Sequence, residues 1–242
     1  MGILALVCVA PRAIIRVDSW LFGRIVGKMG RTNGRRSSTL NLRKWMKLFG
    51  TTILIGGAVS LIIGVCMQLS DPTFRNIVAD GWLYNMFQMA MIGFTFGAFA
   101  HMGFFAYLML NYIARSIFKR PQLWVALQGF TTAFVLVEVA YGVYGTNFPE
   151  ATFWAVPLAL TAAALLVAWR KVHETTSGAW VPTVFFLVTV TVLEGVPAFR
   201  TGSLSSLVFQ LVPLFVCNSY QIMRLHRILD TKVAVSETAK AG

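Results

Sequence analysis

Two carboxylates stand where an apolar chain has little reason to keep them. Glu138 lies in the run VLVEVAYGVYG, and Glu194 lies in LEGVPAFR. Arg200 follows Glu194 across Pro197, close enough for a Glu–Arg pair or a shared proton. The proline should break or kink a helix at that point. His101, Gln128, Asn218 and Gln221 form a second set of donors and acceptors inside apolar runs. An acid in hydrocarbon is costly, so it faces a bundle interior and binds a ligand, a proton or a partner. The simpler reading is a structural clasp that fixes helix order. Hydrogen bonds between helices in lipid contribute only ~0.6–2 kcal/mol each.

Metal and enzyme chemistry are both poorly supported. His101 has no second histidine at ligand spacing on its own helix, and His173 and His226 lie outside the apolar runs. A zinc site needs three or four converging ligands. There is no G-x-S-x-G, no H-E-x-x-H, no P-loop and no pair of intramembrane aspartates,. No catalytic residue, metal or cofactor is expected. The cysteines, Cys8, Cys66 and Cys217, form no C-x-x-C pair, so neither a disulfide framework nor a structural zinc site is expected,. Cys66 and Cys217 read as small hydrophobes.

The elements that must position these side chains are long apolar rods. Of the 242 residues, 57% are hydrophobic and 12% charged, against about 25% charged in a soluble domain. Six apolar runs cover 48–69, 83–112, 123–144, 151–169, 180–198 and 204–223. A helix needs about 20 residues to cross the hydrocarbon core, and each run suffices. The expected fold is all-α: a polytopic integral membrane bundle of six transmembrane helices. Short loops should make consecutive helices antiparallel neighbours. Gly93 and Gly97 form a G-x-x-x-G spacing, and Gly56, Gly57 and Gly64 lie on the first run, so close packing between helices is expected there,.

Charge fixes the orientation. Of 21 Lys and Arg, ten precede the first run, three lie between the second and third, two between the fourth and fifth, and four in the tail. Only Arg75 and Arg200 fall in the opposite loops. Six spans with both termini in the cytoplasm put every group but those two on one side, as the positive-inside rule requires. An odd number of spans would spoil the separation. Trp82, Trp169, Trp180, Tyr112, Tyr144 and Tyr220 fall near run ends, where amphipathic rings prefer the interface,. The net charge of +12 is thus a membrane-flanking charge, and no nucleic-acid partner is expected,.

The chain divides into a basic cytoplasmic region 1–46, a spanning domain 47–223 and a cytoplasmic tail 224–242 that should fray. Residues 11–28 wind as an amphipathic helix, with Arg12, Arg16, Arg24 and Lys28 on one face. It would lie on the anionic inner leaflet. A disordered tail or a start codon set too far upstream are the alternatives. Residues 30–40 read as a flexible basic linker. The opening MGILALVCVA places its basic residues after the apolar stretch, the wrong order for a secretory signal,.

Four stretches carry a resemblance. They are HMGFFAYL from His101, VLVEVAYGVYG around Glu138, LEGVPAFR from Leu193, and CNSYQIMRLHRI from Cys217. In this order and spacing the chain resembles the KbaA family of KinB-signalling pathway activation proteins. The resemblance covers about Arg43 to Leu229, and the basic segment before residue 42 is longer than the family's usual start. It implies an integral protein of the cell membrane of a spore-forming Gram-positive bacterium. Such a protein is needed for the membrane sensor histidine kinase KinB to feed the sporulation phosphorelay. The family has no assigned catalytic residues, so none carries over. A small-solute transporter or channel is the alternative, motivated by the polar residues in the spans and weakened by the lack of an inverted repeat. An intramembrane enzyme would need two polar groups converging in a cleft open to water.

Overall fold

The protein is described by a computed structural model over residues 36–70, 81–144, 150–201 and 203–238, with side chains described within 44–70, 81–141, 154–201 and 203–225. Among these residues every regular element is a helix. The helices are α1 (Arg36–Ser70), α2 (Trp82–Ile117), α3 (Pro121–Tyr144) and α4 (Glu150–Glu174). A 3-10 turn, Ser177–Ala179, leads into a fifth rod made of three pieces: α5 (Trp180–Phe185), a π-helical segment (Phe186–Val190) and α6 (Thr191–Phe199). The chain closes with α7 (Leu204–Thr238). Six helical stretches are long and apolar enough to cross a membrane. They overlap all six apolar runs of the sequence.

Several boundaries differ from those expected. α1 begins at Arg36, so the last residues of the supposed linker are helical. α7 runs on to Thr238, because no glycine or proline interrupts the chain between Leu214 and Ala241. α4 extends to Glu174 and takes Arg170 and Lys171 out of the loop assigned to them. There Arg170 reaches Glu174 one turn on, at 3.6 Å. The amphipathic segment 11–28 and Arg75 lie outside the described residues. α2 stops where Phe118 turns extended, and Pro121 opens α3, where its fixed φ and missing N–H suit the first helical position,.

The fifth rod is the hub. Phe185, Phe186, Leu187 and Val188 are consecutive and all buried, which no helix with one free face allows,. α1 and α2 pair closely, and α7 packs against both and against α6. α3 and α4 pair with one another and flank the rod at α5. Thus α2 and α3, joined by three residues, scarcely touch, and the expectation that consecutive helices are neighbours fails there. α3 packs on α4 and on the fifth rod instead. The irregularity expected at Pro197 also lies elsewhere. α6 carries Pro197 two residues from its end, and the distortion falls in the π segment upstream.

The pairing of α1 with α2 rests on glycine. A Cβ at Gly93 would lie 2.5 Å from the carbonyl oxygen of Gly56, and one at Gly97 would lie 2.6 Å from Cα of Ile53. Backbones this close leave no room for a side chain. The outside of the bundle is apolar: Leu54, Phe130 and Leu166 are 64%, 70% and 67% exposed. The inside holds Gln128, Asn218 and Gln221, each fully buried. That distribution reverses the one water selects.

Candidate functional site: the polar core

Three polar clusters form within the bundle. The first joins the fifth rod to α7. Asn218 Nδ2 donates to Thr191 Oγ1 at 3.1 Å and to Glu194 Oε2 at 3.0 Å. Gln210 Nε2 donates to the backbone carbonyl of Glu194 at 3.1 Å. The other carboxylate oxygen, Oε1, lies against Gly103 of α2. A Cβ there would overlap it and would come within 2.8 Å of Val190 Cγ1. Gly103 is therefore the vacancy into which the Glu194 carboxylate fits, and it brings a third helix to the cluster.

The second cluster joins α2 to α7. His101 Nδ1 and the Gln221 side-chain amide meet at 3.2 Å, with donor and acceptor set by the ring tautomer,. The imidazole sits among aromatic rings, with Phe49 at 4.9 Å and Phe105 edge-on at 4.8 Å between centroids. Asn218 and Gln221 are three residues apart and so share one face of α7. The third cluster joins α2 to α3. Asn111 Oδ1 accepts from Trp124 Nε1 at 2.8 Å and from Gln128 Nε2 at 3.2 Å. These bonds tie two helices whose backbones barely meet.

The structure regroups the residues picked out in the sequence. Glu194 pairs with Asn218, not with Arg200 or Glu138. Arg200 is exposed at the end of α6 and forms no ion pair with Glu194. Gln128 leaves the company of His101, Asn218 and Gln221 and pairs with Asn111 instead. Glu138 is the clear correction: it is exposed on the outer face of α3, not turned inward. Its helix presents Val139 and Ala140 to the core, and residue 138 falls on the far side of that turn,.

Sequence reasoning missed four contributors: Asn111, Thr191, Gln210 and Lys171. Asn111 was legible. The buried positions of α2 run Gly93, Gly97, Ala100, Phe104, Tyr107, Asn111 and Ala114, a steady three-and-four spacing that extends the inner face to Asn111. Lys171 was not legible. It is buried, and its ammonium donates to the backbone carbonyl of Ile222 on α7. A lysine at the end of an apolar run looks like a loop cation until a tertiary acceptor appears.

Several buried atoms lack a hydrogen-bond partner among the described residues, including Glu194 Oε1, Asn218 Oδ1, Gln221 Nε2 and Gln128 Oε1. No three of His, Cys, Asp and Glu converge to hold a metal ion among the described residues. The described groups pair an acid with amides and an imidazole with an amide. They bind helices to each other, and neither pair sets a base beside a nucleophile.

A protein of Bacillus subtilis (strain 168), "KinB-signaling pathway activation protein", is 26% identical over 189 residues, covering 76% of this chain and 96% of that one. No solved structure matches. The KbaA family, "KinB-signalling pathway activation in sporulation", matches residues 56–228, from within α1 to within α7. The chain belongs to the KbaA family.

Proposed function

We propose that the protein is an integral membrane accessory that activates a KinB-type sensor histidine kinase pathway feeding the sporulation phosphorelay. It does so by packing its transmembrane helices against those of the kinase. The observation that carries this reading is the coincidence of two extents. The family match spans 56–228, and the six apolar helices span Lys44 to Leu225. The activity named for the family therefore belongs to the spanning bundle.

Charge supports an orientation with both termini in the cytoplasm of a spore-forming Gram-positive cell, in its plasma membrane with an anionic inner leaflet. Lys171, on the cytoplasmic side in this orientation, is held by α7, so burial there does not disturb the charge pattern. The described residues form helices and the turns that join them, with no kinase fold among them, and Asn218, Gln128 and Trp124 hydrogen-bond to other side chains of the bundle. Its means of activation is differential contact with the kinase's two states. A groove beside α1 and α7 is lined by Ile62, Ile63, Cys66, Met67, Ser70, Val208 and Val212, a mainly apolar set that gives a transporter reading no support.

Two measurements test the proposal. The kinase should co-purify with the protein from mild detergent, and kinase-dependent output should fall in cells lacking it. Unchanged output refutes the proposal. Tags on the two termini should be protected together from outside the cell, and separation of the two across the bilayer refutes the orientation.

A further inference from the structure

Large apolar residues on the outside of a membrane bundle need no explanation, since lipid accepts them. A carboxylate among them does. Away from helix ends, two acids occur within the spanning helices, Glu138 and Glu194. Glu194 is held by Asn218 inside the bundle. Glu138 is exposed, and no hydrogen bond or ion pair holds it among the described residues. It lies six residues before Tyr144, the end of α3, or about 9 Å along the axis at 1.5 Å per residue,.

The face beside it has a regular spacing. Leu123, Leu127, Phe130, Phe134, Val137 and Tyr141 are all exposed, at intervals alternating four and three. That repeat of 3.5 residues is the seam of a left-handed helix pair, the commonest crossing between membrane helices. Glu138 follows Val137 and so flanks the seam. In such pairs, flanking charges choose the partner and its orientation. Other outer faces carry apolar side chains too, such as Met102 and Met109 on α2, or Leu158 and Leu165 on α4. Neither face sets an acid beside them.

We propose that this outer face of α3 is the docking seam for one transmembrane helix of the partner protein, and that the helix carries a lysine or arginine that meets Glu138. Charge complementarity selects the occupant: an acid in lipid is stabilised by a cation delivered at the same depth. A second copy fits poorly. Among the described residues, the exposed cation toward that end of the bundle, Arg200, lies beyond the last residue of α6, out of register with a carboxylate inside its span. The proposal rests on the reading of the protein as a membrane activator and adds its contact face.

The test uses the full chain in sporulating cells, with a photoreactive residue placed singly at Phe130, Phe134 or Val137 and, as controls, at Leu158 or Leu165. Adducts with the kinase are expected from the α3 positions and not from α4. Glu138→Leu should lower adduct yield and kinase output three- to twentyfold, with Glu138→Gln intermediate because it keeps an acceptor. Glu138 makes no hydrogen bond or ion pair among the described residues, so protein level should hold in both variants. The crosslinks in the unaltered Glu138 background give an answer even where a variant accumulates poorly. Adducts with a second copy alone overturn the proposal, as does full output from Glu138→Leu. Kinase adducts that arise only from α4 would overturn the seam and leave the activator reading standing. Unchanged output in cells lacking the chain would sink the activator reading itself.

Discussion

Gly103→Ala is the sharpest probe of the polar core, because helix propensity and packing predict opposite signs. In an exposed helix, glycine to alanine stabilises by about 1 kcal/mol. Here the new methyl would overlap Glu194 Oε1, with Glu194 Cδ at 3.0 Å and Val190 Cγ1 at 2.8 Å. The carboxylate must withdraw, and its bond from Asn218 Nδ2 at 3.0 Å goes with it. Overpacking a core costs ~1–3 kcal/mol, and a lost bond between membrane helices costs ~0.6–1.7 kcal/mol. The two together outweigh propensity and leave a net loss of about 1–3 kcal/mol. The assay is unfolding in mild detergent, followed by circular dichroism, as a double-mutant cycle with Glu194→Ala. Shortening Glu194 removes the clash and the bond together, leaving only the Val190 contact. Gly103→Ala should then cost less in the Glu194→Ala background, by at least about 1 kcal/mol. Equal cost in both backgrounds, within about 0.5 kcal/mol, would refute the argument that Gly103 makes room for the carboxylate.

Three other outcomes follow from the same geometry. Gly97→Ala should destabilise strongly, since its Cβ meets the backbone of α1, whereas Gly50→Ala, with nothing within 4 Å, should be neutral or stabilising by up to about 1 kcal/mol,. Thermal unfolding of the two variants side by side checks this. Lys171→Met should cost about 1–3 kcal/mol by removing the donor to the Ile222 carbonyl and should loosen α4 from α7, read as faster hydrogen exchange in α7,. Glu194→Gln should retain most function because Oε1 of the amide still accepts from Asn218, while Glu194→Leu should not; equal loss in a kinase-output assay would show that the charge is what matters.

What the sequence reveals and what it hides divide along physical lines. Six apolar runs appear as six rods because length and hydropathy are local properties, and α2's inner face is readable from its three-and-four spacing. The order of packing is not local. Nothing in the run 180–198 announces that its stretch Phe185–Val188 will be buried at every position, since a helix apolar all round reads the same whether lipid or protein surrounds it. The same ambiguity misplaced Glu138, for hydropathy gives depth and says nothing about facing. Cluster membership failed for a related reason. Depth put Gln128 with Gln221, and closeness along the chain put Glu194 with Arg200, but hydrogen bonding needs two side chains on facing helices. Asn111 and Asn218 hold those places.

If the protein activates a kinase through its membrane helices, as proposed, the outer surfaces of those helices are where it can bias the partner. The bonds of Asn218, Gln221 and Asn111 lie inside the bundle and join its own helices. A contact that shifts a two-state kinase must differ in free energy between the states. Allosteric coupling is typically ~1–3 kcal/mol, and one hydrogen-bonded contact between membrane helices, at ~0.6–1.7 kcal/mol, supplies about three- to twentyfold. Glu138 on the α3 seam therefore has the right magnitude if the partner's cation reaches it in one state only. The polar core has the complementary task. Tying α2 to α3 through Asn111, and α7 to the fifth rod through Glu194, holds the seam rigid, so that contact energy is not lost in deforming the bundle.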